Sequence, residues 1–321
     1  MRACAFFLLF LGGLSTFTAC GDDSGSSTGA GGSGASGVGG QGGEGGQVVS
    51  GEPLKILNWN TRNFVNDLND STVADEFIKS TAEYQAQLTA VAAAITELDP
   101  DVAVLAEVEN QAVLDDLMAE LGPEWVDSSL IESADPRGID IAAVSKLPFS
   151  DVVSHQDDEF VVEGTNAPTY TFARDAVEYH VTFRGQDIVL IGVHFRSKGP
   201  PDDPNKRLAE AQRSRAIADE LTAADSSLGV IILGDFNDLP GSAPFKAVEG
   251  AAPDKFVDAA SYVAEADRWT FDFQGNLELI DHQMANVLMQ QHLDTKAVVI
   301  RHGLGAEASD HAPMMATYRF E

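Results

Sequence analysis

The sequence predicts an α/β fold in one large domain. Strand and helix signals alternate along residues 52–321 without a second linker or an internal repeat. Several strands are continuous apolar runs, which is typical of strands that are buried on both faces. These runs lead to polar residues, and polar groups at successive strand ends are how an α/β scaffold gathers distant residues into one site.

Two amphipathic segments predict helices whose apolar stripes pack in the core. In the first, residues 80–98, the stripe is formed by Tyr84, Leu88, Val91, Ile95 and Leu98. In the second, residues 205–224, it is formed by Leu208, Ala211, Ala218 and Leu221. The spacings of three and four residues place each set on one helix face.

Five apolar runs predict strands, and each has a polar residue that is a candidate for the site. The runs cover residues 54–57, 102–106, 139–144, 188–193 and 230–233. The corresponding polar residues are Asn60, Glu107, Asp140, His194 and Asp235. Asp140 lies within its run, whereas the other four follow theirs.

The N-terminus predicts export and a membrane anchor. Residues 1–19 read as a signal peptide, because an apolar run too short to span a bilayer leads to small residues before Cys20. This pattern resembles the lipobox of bacterial lipoproteins, and the alternative is an ordinary signal peptide with a chance cysteine. Residues 20–51, rich in Gly and Ser, predict a tether that cannot fold. The expected location is the bacterial cell envelope or cell surface, with the membrane contacted through lipid on Cys20.

The composition limits the possible ligands. The net charge of −30 opposes tight non-specific binding to nucleic acid, which depends on basic side chains. The only cysteines, Cys4 and Cys20, lie in or directly after the signal, so the domain has no Cys-ligated metal. The sequence also lacks HExxH, GxSxG and Walker-type motifs, which argues against classical zinc, serine and P-loop hydrolases.

Two short motifs carry groups suited to phosphate chemistry. In GDFND, Asp235 and Asn237 follow a buried strand and can hold a water and a phosphate oxygen, although an Asx turn is the alternative explanation. In SDH, His311 needs a carboxylate to fix its tautomer, and Asp281 or Asp310 can supply it. A surface Asp-His pair is the alternative for this second motif.

Glu107 predicts a metal site, because an unpaired carboxylate at the end of an apolar strand is costly and buried carboxylates usually meet a cation. Asn60 and Asp310 are its candidate companions. These hard oxygen ligands suit Mg²⁺, Mn²⁺ or Ca²⁺ more than Zn²⁺, and magnesium is the expected ion. A basic segment, residues 196–215, also follows His194 and is placed for an anionic substrate, unless its arginines only solvate a helix face.

The ordered motifs NWNTRNF, DPDVAVLAEVE, IGVHF, GDFN, LIDH and SDHAP together resemble the endonuclease/exonuclease/phosphatase superfamily. The resemblance spans nearly all of residues 54–318. It implies a four-layer α/β (α+β) sandwich of two packed β-sheets flanked by helices, with the site at one end of the sheets. It also implies a divalent cation and hydrolysis of phosphoric ester bonds.

The resemblance assigns roles to the candidate residues. Glu107 would be the main metal ligand, supported by Asn60 and Asp310. Asp235 and Asn237 would position water and phosphate. His311, paired with Asp281, would act as acid, base or phosphate ligand.

Three further residues favour nucleic acid as the substrate. His194 is similar to the second histidine of deoxyribonuclease-type members, Asp140 matches the carboxylate that supports that histidine, and Arg174 resembles their phosphate-contacting arginine. HFRSKG is also similar to a segment of bacterial extracellular nucleases. The expected function is therefore a secreted, non-specific nuclease acting on DNA or RNA. The alternatives are a phospholipid or inositol-phosphate phosphodiesterase and, more distantly, a catalytically silent binding lipoprotein.

Overall fold

The computed structural model describes residues 50–69, 77–166 and 168–321. The predicted signal peptide, Cys20 and nearly all of the predicted tether lie outside the described residues. The described residues build a single α/β domain with two mixed β-sheets of six strands and flanking helices, which confirms the predicted fold class. Among these residues, no helix combines the length and the apolar character needed to cross a membrane.

The strands, in chain order, are β1 (Glu52–Phe64), β2 (Val102–Val108), β3 (Asp127–Leu130), β4 (Asp140–Ser145), β5 (Asp151–Ser154), β6 (Ala176–Phe183), β7 (Gln186–His194), β8 (Gly229–Asp235), β9 (Val257–Asp258), β10 (Phe271–Phe273), β11 (Asn276–Glu278), β12 (Asp281–Ala285), β13 (Val299–Ile300) and β14 (Met314–Phe320). The α-helices are α1 (Thr81–Leu98), α2 (Gln111–Leu121), α3 (Pro204–Ala224), α4 (Ala243–Glu249) and α5 (Val287–His292). Two short 3₁₀ helices lie at Ala259–Tyr262 and Glu265–Asp267.

The first sheet has the strand order β13-β14-β1-β2-β4-β3, and the second has the order β5-β6-β7-β8-β12-β9. One pair in each sheet is parallel, β1 with β2 and β7 with β8, whereas the other pairs are antiparallel. The central strands are buried along their whole apolar runs, as the patterning predicts. β10 and β11 form a separate two-stranded hairpin.

Three buried clusters hold the layers together. One lies between the sheets and includes Val104, Tyr179 and Ile231. The second packs α1 and α2 on the first sheet, and the third packs α3 and α4 on the second sheet. Burial of this apolar surface is the dominant favourable term in folding, and it holds the strand ends in fixed positions.

Both predicted helices are present. α1 begins after Ser80, whose side chain accepts a hydrogen bond from the backbone N–H of Glu83, while the carboxylate of Glu83 accepts one from the backbone N–H of Ser80, forming a capping box. All five residues of its apolar stripe are buried. α3 differs from the prediction, because its buried face includes Arg207 and Glu210 beside the small residues Ala211 and Ala218. The polar side chains on this face bond to the loops beside the site.

Candidate active site

Neighbouring strands of the second sheet place a histidine and two carboxylates in one row. His194 on β7 lies opposite Asp235 on β8, and Asp281 on β12 lies opposite Asp235 from the other side. Directly opposite residues project to the same face of a sheet. All three side chains are buried, so the register of strands that are distant in sequence assembles the row.

A glycine is required beside this row. Gly234 has a φ of 132°, a conformation that side chains other than glycine rarely adopt. A Cβ atom at this position would lie 2.0 Å from the carbonyl oxygen of Val193. The Gly of GDFN therefore permits the close approach of β8 to β7 that places Asp235 beside His194.

His311 joins the row from the segment before β14. Its Nδ1 lies 2.8 Å from Oδ2 of Asp281. Its backbone N–H donates to Oγ of Ser309 at 3.0 Å, and the indole of Trp59 donates to its carbonyl oxygen at 2.8 Å. These bonds hold the imidazole in one orientation, with Asp281 rather than Asp310 as the carboxylate partner.

The two histidines have opposite electrostatic surroundings. Burial lowers the pKa of His311, but the carboxylate of Asp281 outweighs it and raises the pKa to about 9. Burial holds the pKa of His194 well below its ordinary value, and the charge of Arg174 lowers it further. At neutral pH the site therefore holds one protonated and one neutral imidazole.

Asp235 lies between the two histidines on the central strand of the row. Its Oδ2 is 3.5 Å from Nε2 of His194 and accepts a hydrogen bond from Nδ2 of Asn60 at 3.0 Å. Burial raises the pKa of Asp235 to about 7, and the negative charge of Asp281 contributes to the rise. A group with a pKa near 7 exchanges protons readily at neutral pH.

The first sheet contributes Glu107 through a β-bulge. The pairing of β2 with β4 shifts register between Ala106 and Val108, and Glu107 has a φ of 66°. Such a bulge re-aims a side chain at the cost of backbone strain. Oε2 of Glu107 accepts from the backbone N–H of Asn63 at 2.8 Å, and Oε1 lies 3.9 Å from Nε2 of His194.

Arg174 and Asn237 meet at one backbone carbonyl. Nη1 of Arg174 and Nδ2 of Asn237 donate to the carbonyl oxygen of Phe195 at 3.1 Å and 3.0 Å. Nε of Arg174 is paired with Oδ2 of Asp135 at 3.0 Å, and Asn237 adopts a φ of 52°. The structure thus brings both residues to the site, while the predicted phosphate contact of Arg174 stays a prediction.

Asp140 and Asp310 lie apart from the partners that the sequence reasoning assigned to them. Asp140 is buried and accepts from the backbone N–H of Ser133 at 2.8 Å, and among the described residues no hydrogen bond or ion pair joins it to His194. Burial raises the pKa of Asp140 to about 6. The side chain of Asp310 is 35% exposed and lies 3.4 Å from Nε of Arg62. The supporting role of Asp140 and the metal-binding role of Asp310 stay predictions.

Sequence reasoning missed Glu210, which joins two loops at the site. This side chain on α3 is fully buried, and its two oxygens accept from the backbone N–H groups of Ala173 at 2.8 Å and Arg196 at 2.6 Å. Burial raises its pKa to about 7, against the effect of these two hydrogen bonds. Glu210 therefore aligns the residues next to Arg174 and Phe195. An acid between two alanines of a helix carries no sequence signal for this role.

A second missed group supports the loop after β8. His282 is fully buried, with Nδ1 2.7 Å from Oδ2 of Asp258 and Nε2 3.2 Å from the carbonyl oxygen of Asp238. Its ring also packs against Phe236 and Phe245. His282, which directly follows Asp281 in the chain, thus supports the GDFND turn from the face of the sheet that is opposite to His311.

The basic segment after His194 is largely engaged within the protein. Arg207 is buried and bonds to Asp202 and Asp238, Arg213 bonds to Asp158 and Glu220, and Arg215 bonds to Asp219 and to three backbone carbonyls. The expectation that this segment faces an anionic substrate is therefore wrong for these three arginines. Lys198 is 42% exposed at 3.2 Å from Asp238.

The donor set of the site fits a divalent cation. Glu107 and Asp235 lie 3.9 Å and 3.5 Å from Nε2 of the same imidazole, His194, while Asp281 pairs with His311. Among the described residues, no Lys or Arg forms an ion pair with any of these three carboxylates. Oδ1 of Asp281 is buried and has no hydrogen-bond partner among the described residues. Asp235, Asp281 and His311 form a compact group of candidate ligand atoms. The protonated His311 opposes a cation there, so Glu107 is the better-placed primary ligand.

The fold and the site together define a class, an α/β sandwich whose buried carboxylates, amides and imidazoles meet at one end of the sheets. The profile of the Endonuclease/Exonuclease/phosphatase family matches residues 56–303 of the 321 residues. The chain therefore belongs to the endonuclease/exonuclease/phosphatase family, whose members are phosphoric-ester hydrolases that generally depend on divalent metals.

Solved structures share the fold at low sequence identity. The Bacteroides thetaiotaomicron endonuclease/exonuclease/phosphatase family protein is 15% identical, with a TM-score of 0.58 over 85% of this chain and 100% of its own. The human Nocturnin catalytic domain is 12% identical, with a TM-score of 0.60 over 84% and 95%. D. rerio TDP2, solved with a single-strand DNA product, is 16% identical, with a TM-score of 0.54 over 84% and 99%. No curated protein sequence matches the chain.

Proposed function

We propose that this protein is an exported, divalent-metal-dependent nuclease that hydrolyses phosphodiester bonds of DNA or RNA without sequence preference. The observation that carries the proposal is the geometry that places the imidazoles of His194 and His311 around the carboxylates of Asp235 and Asp281. His194 lies 3.5 Å from Asp235, and His311 is held by Asp281, which is the next residue across the sheet.

The residues of the site divide the work of in-line attack by water on a phosphodiester. Protonated His311 donates to a phosphate oxygen or to the leaving oxygen, while Asp281 stabilises its positive charge. Asp235, with a pKa raised to about 7 by burial and by Asp281, accepts a proton from the attacking water. Asn237, held against the carbonyl of Phe195, presents its amide beside this water.

Glu107 would hold the divalent cation, with Asn60 and Asp310 as further ligands. The bound cation supplies neutralisation of the charge that develops on the phosphate and leaving oxygens. Because all of these ligands are hard oxygens, the proposed ion is Mg²⁺, Mn²⁺ or Ca²⁺, with magnesium as the ion to test first.

Nucleic acid is the proposed substrate class. TDP2, which shares the fold, has been solved with a single-strand DNA product, and this supports the assignment. His194 and Arg174 support it through their resemblance to deoxyribonuclease-type residues. The net charge of −30 favours the alternative of a phospholipid or inositol phosphate, because acidic proteins repel long polyanions.

Substrate hydrolysis by the full-length protein tests the proposal. Wild type, Glu107→Gln and the exposed control Glu120→Gln are incubated with supercoiled plasmid, RNA, sphingomyelin and inositol phosphates, with Mg²⁺ and with chelator. We expect chelator-sensitive cleavage of nucleic acid, a loss of about 100-fold or more in Glu107→Gln, and no loss in Glu120→Gln. Cleavage of the lipid or inositol phosphates with plasmid and RNA untouched would contradict the nuclease assignment.

Lipid attachment at Cys20 is the proposed anchor at the cell envelope. Wild type and Cys20→Ser are expressed in a bacterium and separated into membrane and soluble fractions. We expect the wild type in the membrane fraction and Cys20→Ser in the soluble fraction. Equal partitioning of the two proteins would contradict the anchor while leaving the enzymatic proposal intact.

A further inference from the structure

The β10–β11 hairpin is attached directly to the segment that carries His311. Phe271 forms an isolated antiparallel bridge with His311, and the backbone N–H of Ala312 donates to the carbonyl oxygen of Thr270 at 2.7 Å. The strands are joined by a two-residue turn in which both residues, Gln274 and Gly275, have positive φ. This turn type matches the twist of a hairpin, so the hairpin has a defined position beside the site.

One face of this hairpin continues the site as a row of aromatic rings. Phe271 and Phe273 are two residues apart on one strand and therefore share a face. The ring of Phe271 lies 4.8 Å from the ring of His311, and the ring of Phe273 is stacked 6.1 Å beyond it at 23°. Phe273 is 53% exposed. The row thus leads from the imidazole to solvent and ends in an open aromatic surface.

The opposite face of the hairpin differs. Asp272 and Leu277 lie directly opposite each other and point away from the aromatic row. Leu277 is as exposed as Phe273, at 53%. The two exposed apolar side chains therefore do not form one continuous patch, and an acidic group accompanies the leucine.

We propose that Phe271 and Phe273 form a stacking subsite for the nucleobase next to the phosphate that is cleaved, an inference that rests on the proposed nuclease function. A nucleobase lies within one nucleotide of its phosphate, and the aromatic row begins at the imidazole that would contact that phosphate. Aromatic side chains bind bases of any sequence, because every base presents a flat π surface.

The charge of the protein favours stacking as a source of affinity. With a net charge of −30, the chain gains little from general attraction to the phosphate backbone. Arg207, Arg213 and Arg215 are also engaged in ion pairs within the protein. A nuclease of this charge needs contacts to the uncharged part of its substrate, and Phe273 is positioned to provide one.

Two oligonucleotides of equal length and charge test the subsite. One is an ordinary single-stranded oligodeoxynucleotide, and the other carries abasic tetrahydrofuran residues in place of nucleosides. KM and kcat are measured with Mg²⁺ for the full-length wild type, Phe273→Ala, Phe273→Trp and the control Leu277→Ala. Circular dichroism and thermal melting establish that each variant is folded.

For the ordinary oligonucleotide we expect KM to rise about ten-fold in Phe273→Ala with kcat nearly unchanged, to recover in Phe273→Trp, and to stay at the wild-type value in Leu277→Ala. For the abasic oligonucleotide we expect Phe273→Ala to match the wild type. An equal KM of wild type and Phe273→Ala on the ordinary oligonucleotide overturns the subsite alone. If the wild type cleaves neither of the two oligonucleotides, nor the plasmid and RNA of the substrate panel, the nuclease function is overturned as well.

A lipid surface is the competing occupant, and sedimentation with phosphatidylcholine vesicles distinguishes it. We expect the wild type and Phe273→Ala, each with Cys20→Ser to exclude the anchor, to remain equally in the supernatant. The opposite result would be vesicle binding by the Cys20→Ser protein that is lost when Phe273→Ala is added. Together with an unchanged KM of Phe273→Ala for the oligonucleotide, that result overturns the subsite in favour of lipid.

Discussion

Two histidine-carboxylate clusters in the second sheet differ in how completely their polar atoms are paired. In the outer cluster, on β5–β6, Glu178 uses both oxygens, each 2.7 Å from a ring nitrogen of His155 or His180. The other ring nitrogen of His155 lies 3.1 Å from Asp158. At the active site, Asp281 binds His311 through one oxygen, and its other oxygen has no hydrogen-bond partner among the described residues.

The pKa values reflect this difference. Burial raises the pKa of Glu178, but hydrogen bonds from His155 and His180 outweigh it and lower the pKa to about 2. Burial raises the pKa of Asp235 to about 7, and the nearby Asp281 adds to the rise. The paired cluster contributes stability, whereas the incompletely paired one keeps groups available for a cation, a water and a phosphate. The same residue types thus serve two purposes, and the pairing decides which.

The largest effect on the rate of hydrolysis is expected when the active-site cluster is disrupted at His311. His311→Gln keeps a side chain that can donate to Asp281 but cannot carry the proton, so we expect the rate of phosphodiester hydrolysis to fall about 10³-fold. His180→Gln in the outer cluster serves as the matched control and should leave the rate unchanged. Initial rates on plasmid, together with thermal melting of both variants, make the measurement. A similar loss of rate in the two folded variants would show that the clusters do not differ in function.

A change in the outer cluster is expected to affect stability instead. Glu178→Gln removes the charge that His155 and His180 face, and we expect about 3 kcal/mol of lost unfolding free energy, with the rate of hydrolysis unchanged while the protein is folded. This follows from the lowering of the pKa of Glu178 from 4.5 to about 2, at about 1.4 kcal/mol for each unit.

The pH dependence of this loss of stability follows from two pKa shifts in opposite directions, that of Glu178 and that of His155. Because the pKa of Glu178 is lowered on folding, its contribution is present above pH 4.5 and is lost as the pH falls towards about 2. Burial lowers the pKa of His155, but Glu178 outweighs this and raises it above 6.5, so that contribution is present below pH 6.5 and is lost as the pH rises through the folded pKa. Chemical denaturation at pH 5.5 and pH 8 should therefore show a larger loss at pH 5.5. An equal loss at both values would contradict the assigned pairing.

The smallest effect is expected on kcat, when Glu210 beside the active site is changed. In Glu210→Gln only one oxygen remains to accept from the N–H groups of Ala173 and Arg196, so the loops that carry Arg174 and Phe195 lose alignment. We expect kcat to fall about ten-fold with little change in KM, because misplacement of supporting groups affects the transition state more than binding. Glu220→Gln, on the exposed side of the same helix, is the control. A rise in KM without a fall in kcat would indicate that Glu210 acts on substrate binding.

Much of the fold could be read from local patterns. The capping box of Ser80 with Glu83 and the stripe ending at Leu98 define α1, and the buried apolar runs define β2, β7 and β8. The apolar patterns do not predict helix α2 or the short strands β3 and β5. β3 and β5 span four residues each, so pairing with a neighbouring strand rather than their own pattern stabilises them.

The candidate site was only partly accessible to sequence reasoning. Asp281, rather than Asp310, is the partner of His311, and this choice depends on the register of β12 with β8. Arg207 was expected to lie on a substrate-facing or solvated surface, yet it is buried against Asp238. A charged residue on a helix has the same local pattern in either case, so only the packing of α3 on the sheet distinguishes them.

The sequence by itself determined the α/β class and the identities of the polar groups, because alternation, apolar runs and short motifs are local properties of the chain. The two-sheet architecture followed only from the family resemblance that the ordered motifs carry. The tertiary structure alone decided the bulge that aims Glu107, the two hydrogen bonds of Glu210, and the hairpin that sets Phe273 beyond His311. Each of these depends on strand register or packing between segments far apart in sequence. Such contacts form only when burial of the shared core brings the segments together.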